Sequence, residues 1–328
     1  MVERINIRMD KILLLIVSIL SILVILNSCT QIDPLSEEAL KEPEKVYVMF
    51  LNDRCLNEFP KIIFELKNLK ELYFYNNQLN ELALKIKDLS NLQKLVLGHN
   101  QISELPKEIG SLQQLKYLGL RGNQIKEIPQ EIGNLLNLEI FDLSKNQIKE
   151  LPKEIGNLKH LKILVLRDNK IQELPKEMGN LDKLKTLILS GNNLEEIPKE
   201  IGNMKNLGHL ELSKNRLKKI PKEIGNLKHL GILNMKENQI KDIPREIENL
   251  TELCLLVLSD NQLKEIPKEI GKLIKLKHLV LSKNQLKELP REIGNLCNLE
   301  AIFLENNNIT EKEKERIKAL LPNTEIEF

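Results

Sequence analysis

Apolar residues return in the same order along most of this chain. Leu161, Leu164, Leu166 and Ile171 are spaced L-x-x-L-x-L, with Asn169 set between the last two. From Asn100, steps of 23 residues land on asparagine at 123, 146, 169, 192, 215, 238, 261, 284 and 307. One step back lies Asn77, and the next reaches Arg54. Twelve such units fit from Val46 onward without insertion or deletion.

One unit, Leu138 to His160, shows what each part does. Phe141 and Leu143 alternate with Ile140, Asp142 and Ser144, a period of two that predicts a short strand with the first pair inward. Asn146 follows where the chain leaves the strand. Its amide can donate and accept, so it suits the unpaired backbone groups inside a bend. Then comes Leu151-Pro152-Lys153-Glu154-Ile155-Gly156. The expectation is a single helical turn with proline at its first position and glycine just past its end. Ile155 and Leu158 turn back into the core. Prolines keep this register at 60, 106, 129, 152, 175, 198, 221, 244, 267 and 290, with Ala83 the one gap.

No single unit can bury its aliphatic face, but stacked neighbours share a continuous core. The pattern is identified as that of the leucine-rich-repeat superfamily. The predicted fold is α/β: a solenoid with a concave parallel sheet of about twelve strands and short helical or irregular convex segments. This version of the repeat resembles the exported leucine-rich-repeat proteins of some bacteria and the intracellular Ras-binding type of eukaryotes. Such repeats host many partners, so the resemblance specifies fold more than function. Residues 46–309 hold the twelve repeats and 310–328 the C-terminal cap. Within that cap a helix is expected over Thr310 to Leu321, ahead of Pro322, with Glu325 to Phe328 as a possible last strand.

The front of the chain reads as an address. Ile12 to Leu26 is apolar apart from Ser18 and Ser21, the length of a signal-peptide core and short for a membrane-spanning helix. Leu26-Asn27-Ser28-Cys29 resembles a bacterial lipobox. The resemblance implies a lipoprotein-type signal peptide over 1–28, cleavage before Cys29, and acyl chains that hold the protein to a membrane. Residues 29–45 then form a linker and N-terminal cap, with Ser36 to Lys41 as a short amphipathic element.

Composition narrows the functions. Lys and Arg total 49 against 47 Asp and Glu, a net charge of +2, which gives no global footprint for nucleic acid. With no tryptophan and 3% aromatics, the core must be aliphatic. Cys29, Cys55, Cys254 and Cys297 show no paired CxxC spacing. His209 and His278 share a strand position three repeats apart, about 14 Å at the usual strand spacing, too far to share a zinc ion. Asp142 and Glu211 are separated in the same way, beyond the roughly 5–9.5 Å of glycosidase carboxylates. His209, Glu211 and Ser213 place the acid rather than the histidine in the middle, unlike a Ser-His-acid relay. Neither an enzyme nor a cofactor or metal site is expected.

What remains is the concave face. Two apolar patches are expected there as exposed surface: Ile140, Ile163, Val165 and Ile188, then Ile232, Leu255, Val257, Val280 and Phe303. His209, Glu211 and Asn234 form a polar break. Tyr73, Tyr75 and Tyr117 add amphipathic anchors near the N-terminal end, and Asp142 completes the candidate partner-binding set. Arg121, Lys145 and Arg167 flank the first patch and would favour an acidic ligand, although Asp168 lies beside them. The expected function is a non-catalytic module binding a protein or glycan, exported and membrane-anchored through Cys29. The alternatives are an intracellular scaffold of the Ras-binding type and a structural envelope protein.

Overall fold

A computed structural model of the chain describes residues 41–328. The signal peptide, Cys29 and residues 36–40 of the predicted cap lie outside the described residues. Within 44–328, which form one compact unit, the strands come at the predicted positions. Val48–Phe50 is the first, and eleven more follow at 23-residue intervals to Ala301–Phe303. A thirteenth, Glu325–Glu327, pairs with the twelfth. All thirteen lie in one parallel sheet in sequence order. Each residue faces its counterpart 23 positions on, as Ile163 faces Ile140 on one side and Thr186 on the other.

The asparagine prediction is met in atomic detail. Asn169 Nδ2 donates to the carbonyl of Leu166 at 3.0 Å and to that of Leu143, one repeat back, at 3.0 Å. Its Oδ1 accepts from the backbone N–H of Ile148 at 3.1 Å. The arrangement recurs from Asn123 to Asn284, each buried. The residue before each ladder asparagine sits at positive φ, from Asn76 to Asn306, as does Asp53 before Arg54. Only Gly122 and Gly191 fill that position with glycine; Lys145, Lys214 and Glu237 among others hold it with a side chain.

Opposite the sheet, the convex segments are single 3-10 turns such as Lys153–Asn157. Two details of the predicted turn need correcting. Pro152 is the residue before the turn, in extended backbone, and Gly156 lies inside the turn rather than past its end. The glycine's role is close approach: a Cβ on Gly133, at the same place one repeat earlier, would stand 2.7 Å from the carbonyl oxygen of Glu154 in the next turn. Phe64, Lys87 and Glu248 take this position in three repeats, and Glu248 reaches Lys272 at 2.7 Å. Leucines and isoleucines from sheet and turns fill the space between as one continuous core.

At the C-terminal end, helix α1 (Glu311–Leu320) buries Ile317 over the last repeat. Glu313 accepts from the backbone N–H of Leu289 at 3.0 Å, and Arg316 donates to the Leu289 carbonyl. The helix is capped by Thr310, whose hydroxyl accepts from the Glu313 N–H.

Candidate partner-binding face

Side chains on the open face of the sheet stand in columns, because every strand carries the same register. The middle column runs Phe50, Tyr73, Val96, Gly119, Asp142, Val165, Ile188, Glu211, Asn234, Val257, Val280, Phe303. Most of this column is not exposed, which corrects the expectation of open apolar patches. Tyr73, Val165, Ile188, Val257, Val280 and Phe303 retain 0–3% of their exposure. The reason is lateral packing. Val165 is bracketed along the chain by Ile163 and Arg167, two residues to either side, and across the sheet by Asp142 and Ile188, at about 4.8 Å per strand. Leu255 is buried as well, whereas Ile140, Ile163 and Ile232 are half-buried and contribute what apolar surface the centre of the face has.

The polar members of the column are also buried, and their partners are local. Asp142 accepts from the Ser144 N–H at 2.9 Å and its hydroxyl at 2.6 Å. Glu211 accepts from the Ser213 N–H at 2.9 Å and from Asn234 Nδ2 at 2.9 Å. Burial pushes both carboxyl groups above the usual range, against the pull of those hydrogen bonds. His209 is buried beside them, and burial pushes its imidazole down to about 4, so it is neutral near pH 7. Neither of its ring nitrogens has a hydrogen-bond partner among the described residues. The predicted polar break therefore exists, with Glu211 joined to Asn234 while His209 stands apart.

Open aromatic surface gathers instead in the first repeats. All four tyrosines lie here: Tyr47, Tyr73, Tyr75 and Tyr117. Tyr47 and Tyr75 are among the most exposed large apolar residues, together with Val48. Phe50 and Tyr73 stack with ring centroids 4.6 Å apart. The Tyr73 hydroxyl donates to Glu71 at 2.5 Å. Burial, then that acceptor and the charge of Glu71, hold the Tyr73 phenol far above its usual range. Lys94 sits 5.2 Å from the Tyr73 ring centre and 5.1 Å from that of Tyr117. Tyr75 packs on His99 at 5.0 Å between ring centroids. Glycines make room for these rings, since a Cβ on Gly119 would stand 2.8 Å from Cε1 of Tyr117.

Lys94, His99 and Tyr47 were not among the residues singled out from the sequence. A signal was available for Lys94. Ion pairs on this solenoid join equivalent positions of adjacent repeats, as in Glu139–Lys162, Asp260–Lys283 and Lys277–Glu300. Lys94 has Glu71 at one such step, but that carboxylate is engaged by Tyr73. Among the described residues no group of His, Cys, Asp or Glu could hold a metal ion, and no helix is long and apolar enough to cross a membrane. Cys55, Cys254 and Cys297 are free thiols.

A parallel sheet built one strand per repeat, backed by an asparagine ladder, defines a leucine-rich-repeat solenoid. Family models agree: a "leucine-rich repeat region" matches 106–164, 153–217 and 199–272, and a "leucine rich repeat" matches 84–125 and 251–309. The chain belongs to the leucine-rich-repeat family. Among solved structures it is similar to a leucine-rich-repeat protein of Leptospira interrogans, at 33% identity over 92% of this chain and 100% of that one, TM-score 0.50. It also resembles a plant peptide hormone receptor, RGFR1, in complex with RGF2, at 31% identity, 79% of this chain and 47% of that one, TM-score 0.70. An internalin of Listeria monocytogenes aligns at 25% identity over 88% of both chains, TM-score 0.68. No curated protein matches the sequence.

Proposed function

We propose that this protein is a non-catalytic interaction module that holds a protein partner on the open, concave face of its sheet. The carrying observation is the aromatic surface of the first repeats, with Tyr47, Val48 and Tyr75 exposed where folding alone calls for polar side chains. A plant receptor of the same architecture is described in complex with its peptide hormone, which supports a polypeptide over a glycan. The half-buried Ile140, Ile163 and Ile232 extend the contact along the sheet. We propose further that the module is exported and tethered to a bacterial membrane through lipidated Cys29, on the strength of the Leu26–Cys29 motif.

Two measurements test this. A photo-crosslinking residue at Ile163 should yield adducts in cells, while one at Lys153 on the opposite surface should not; the reverse pattern would sink the assignment of the face. The intact mass of membrane-extracted protein should correspond to a chain starting at an acylated Cys29. A chain retaining Met1 would favour the intracellular scaffold.

A further inference from the structure

Cations on the sheet side of the solenoid divide into two sets. Beyond residue 145, most have a carboxylate partner: Lys162 with Glu139, Arg167 with Asp168, Lys236 with Glu237, Lys277 with Glu300 and Lys283 with Asp260. In the earlier repeats Lys94, Arg121 and Lys145 form no ion pair with any described residue. The cause lies in the lattice. The carboxylates near them are already engaged, Glu71 by the Tyr73 hydroxyl, Asp142 by Ser144 and Asp168 by Arg167. Arg121 has only Gly98 and Ser144 at the equivalent positions of its neighbours.

This set is also coherent in space. Lys94 is half-buried between the Tyr73 and Tyr117 rings, and burial lowers its affinity for a proton although Glu71 opposes the shift. His99 is likewise held down, first by burial and then by the charges of Arg121 and Lys145, so the three groups share one positive region. Exposed Tyr75 packs on His99 at its border. Unneutralised cations interleaved with tyrosine faces form a surface that lacks only the opposite charge.

We propose that the first five repeats form the specificity end of the binding face and receive an acidic polypeptide segment of the partner. Its carboxylates pair with Lys94, Arg121 and Lys145, and an aromatic or aliphatic side chain packs on Tyr75 or Tyr117. The half-buried ammonium of Lys94 gains most from such a partner, because it is desolvated before the partner arrives. This inference rests on the open face being the docking surface, and it adds the location and the charge of the ligand.

The test uses a fluorescent twelve-residue peptide of glutamate and tyrosine, followed by anisotropy against the mature protein. Binding should weaken as salt rises, and should fall at least about tenfold in the double variant Arg121→Glu/Lys145→Glu. Both side chains reach solvent, and circular dichroism and melting should match the wild type. Lys214→Glu, three repeats further along, should change affinity less than about twofold. Loss of affinity in Lys214→Glu equal to that in the double variant would overturn the localisation. Equal binding of a heparin hexasaccharide would overturn the polypeptide assignment. Absence of peptide binding would overturn this inference alone, since adducts from Ile163 report on the face independently.

Discussion

At the scale of the residue, the ladder asparagine and the buried histidine show two opposite ways of placing a polar group inside this molecule. Asn169 satisfies three backbone groups at once, two of them carbonyls of successive repeats. Asn169→Ala would leave the Ile148 N–H buried without a partner and take one of two amide donors from each of the Leu143 and Leu166 carbonyls. A loss of roughly 1–3 kcal/mol is expected from denaturant unfolding. His209 is buried without partners, and folding therefore favours its neutral form. Its folded pKa lies below the usual 6.5, near 4, so its contribution is complete above pH 6.5 and is lost as pH falls toward 4. The size is on the order of 3 kcal/mol. Asp142 and Glu211 shift the other way, so their contributions grow as pH falls. His209→Leu should thus flatten the acid side of the stability curve between pH 6.5 and 4, measured as melting temperature, while leaving the carboxylate part in place. A parallel fall in both proteins would show that the imidazole is not the group responsible.

At the scale of the element, strands, asparagines and convex turns were legible from the sequence because each repeat restates the same side-chain chemistry. Twelve agreements leave little room for another period. The roles of Pro152 and Gly156 were not fully legible. A Pro-x-x-x-Gly turn looks like a capped helix in one dimension, whereas the glycine answers to a neighbouring carbonyl 21 residues away. Gly133→Ala should cost about 2 kcal/mol or more, because the new Cβ meets the Glu154 carbonyl oxygen. Lys87 and Glu248 show that the lattice can take a side chain there, so the variant should fold with a lowered midpoint and an unchanged denaturant slope. A change of slope would instead signal that the stack uncouples at this turn. Exposure on the open face of the sheet was the other illegible quantity. Val165 and Ile188 read as surface because alternation marks them as outward, but strand neighbours on four sides close over them. The same closeness decides which cations are paired, and no pattern within one repeat reveals it.

At the scale of the whole molecule, stability is a sum of contacts between neighbours, and the ends need covering. Helix α1 and the thirteenth strand cover the last repeat, with Ile317 buried over it and Arg316 and Glu313 engaging Leu289. Removing residues 310–328 would expose Leu299, Ile302 and the paired edge of the twelfth strand. The truncated protein should elute as higher oligomers in size-exclusion chromatography and melt at lower temperature. A monomer with the wild-type melting temperature would show that the cap is dispensable.

The uniform register also bears on how such a protein changes over generations. Any cut of 23 residues, such as 164–186, rejoins congruent positions: Ile163 continues into Leu187 as it did into Leu164, and Asn146 is followed by Asn192 at its next turn. Unequal recombination between near-identical coding segments can therefore add or drop units without a seam. A cut of 22 would turn every later side chain to the wrong side of the sheet. Deleting 164–186 should give a soluble protein with about one strand's worth less length by small-angle scattering. Lys94, Arg121 and Lys145, all before residue 146, would survive that shortening. Length and specificity would then be free to vary separately, with copy number setting how far the face reaches and the first repeats setting what it selects.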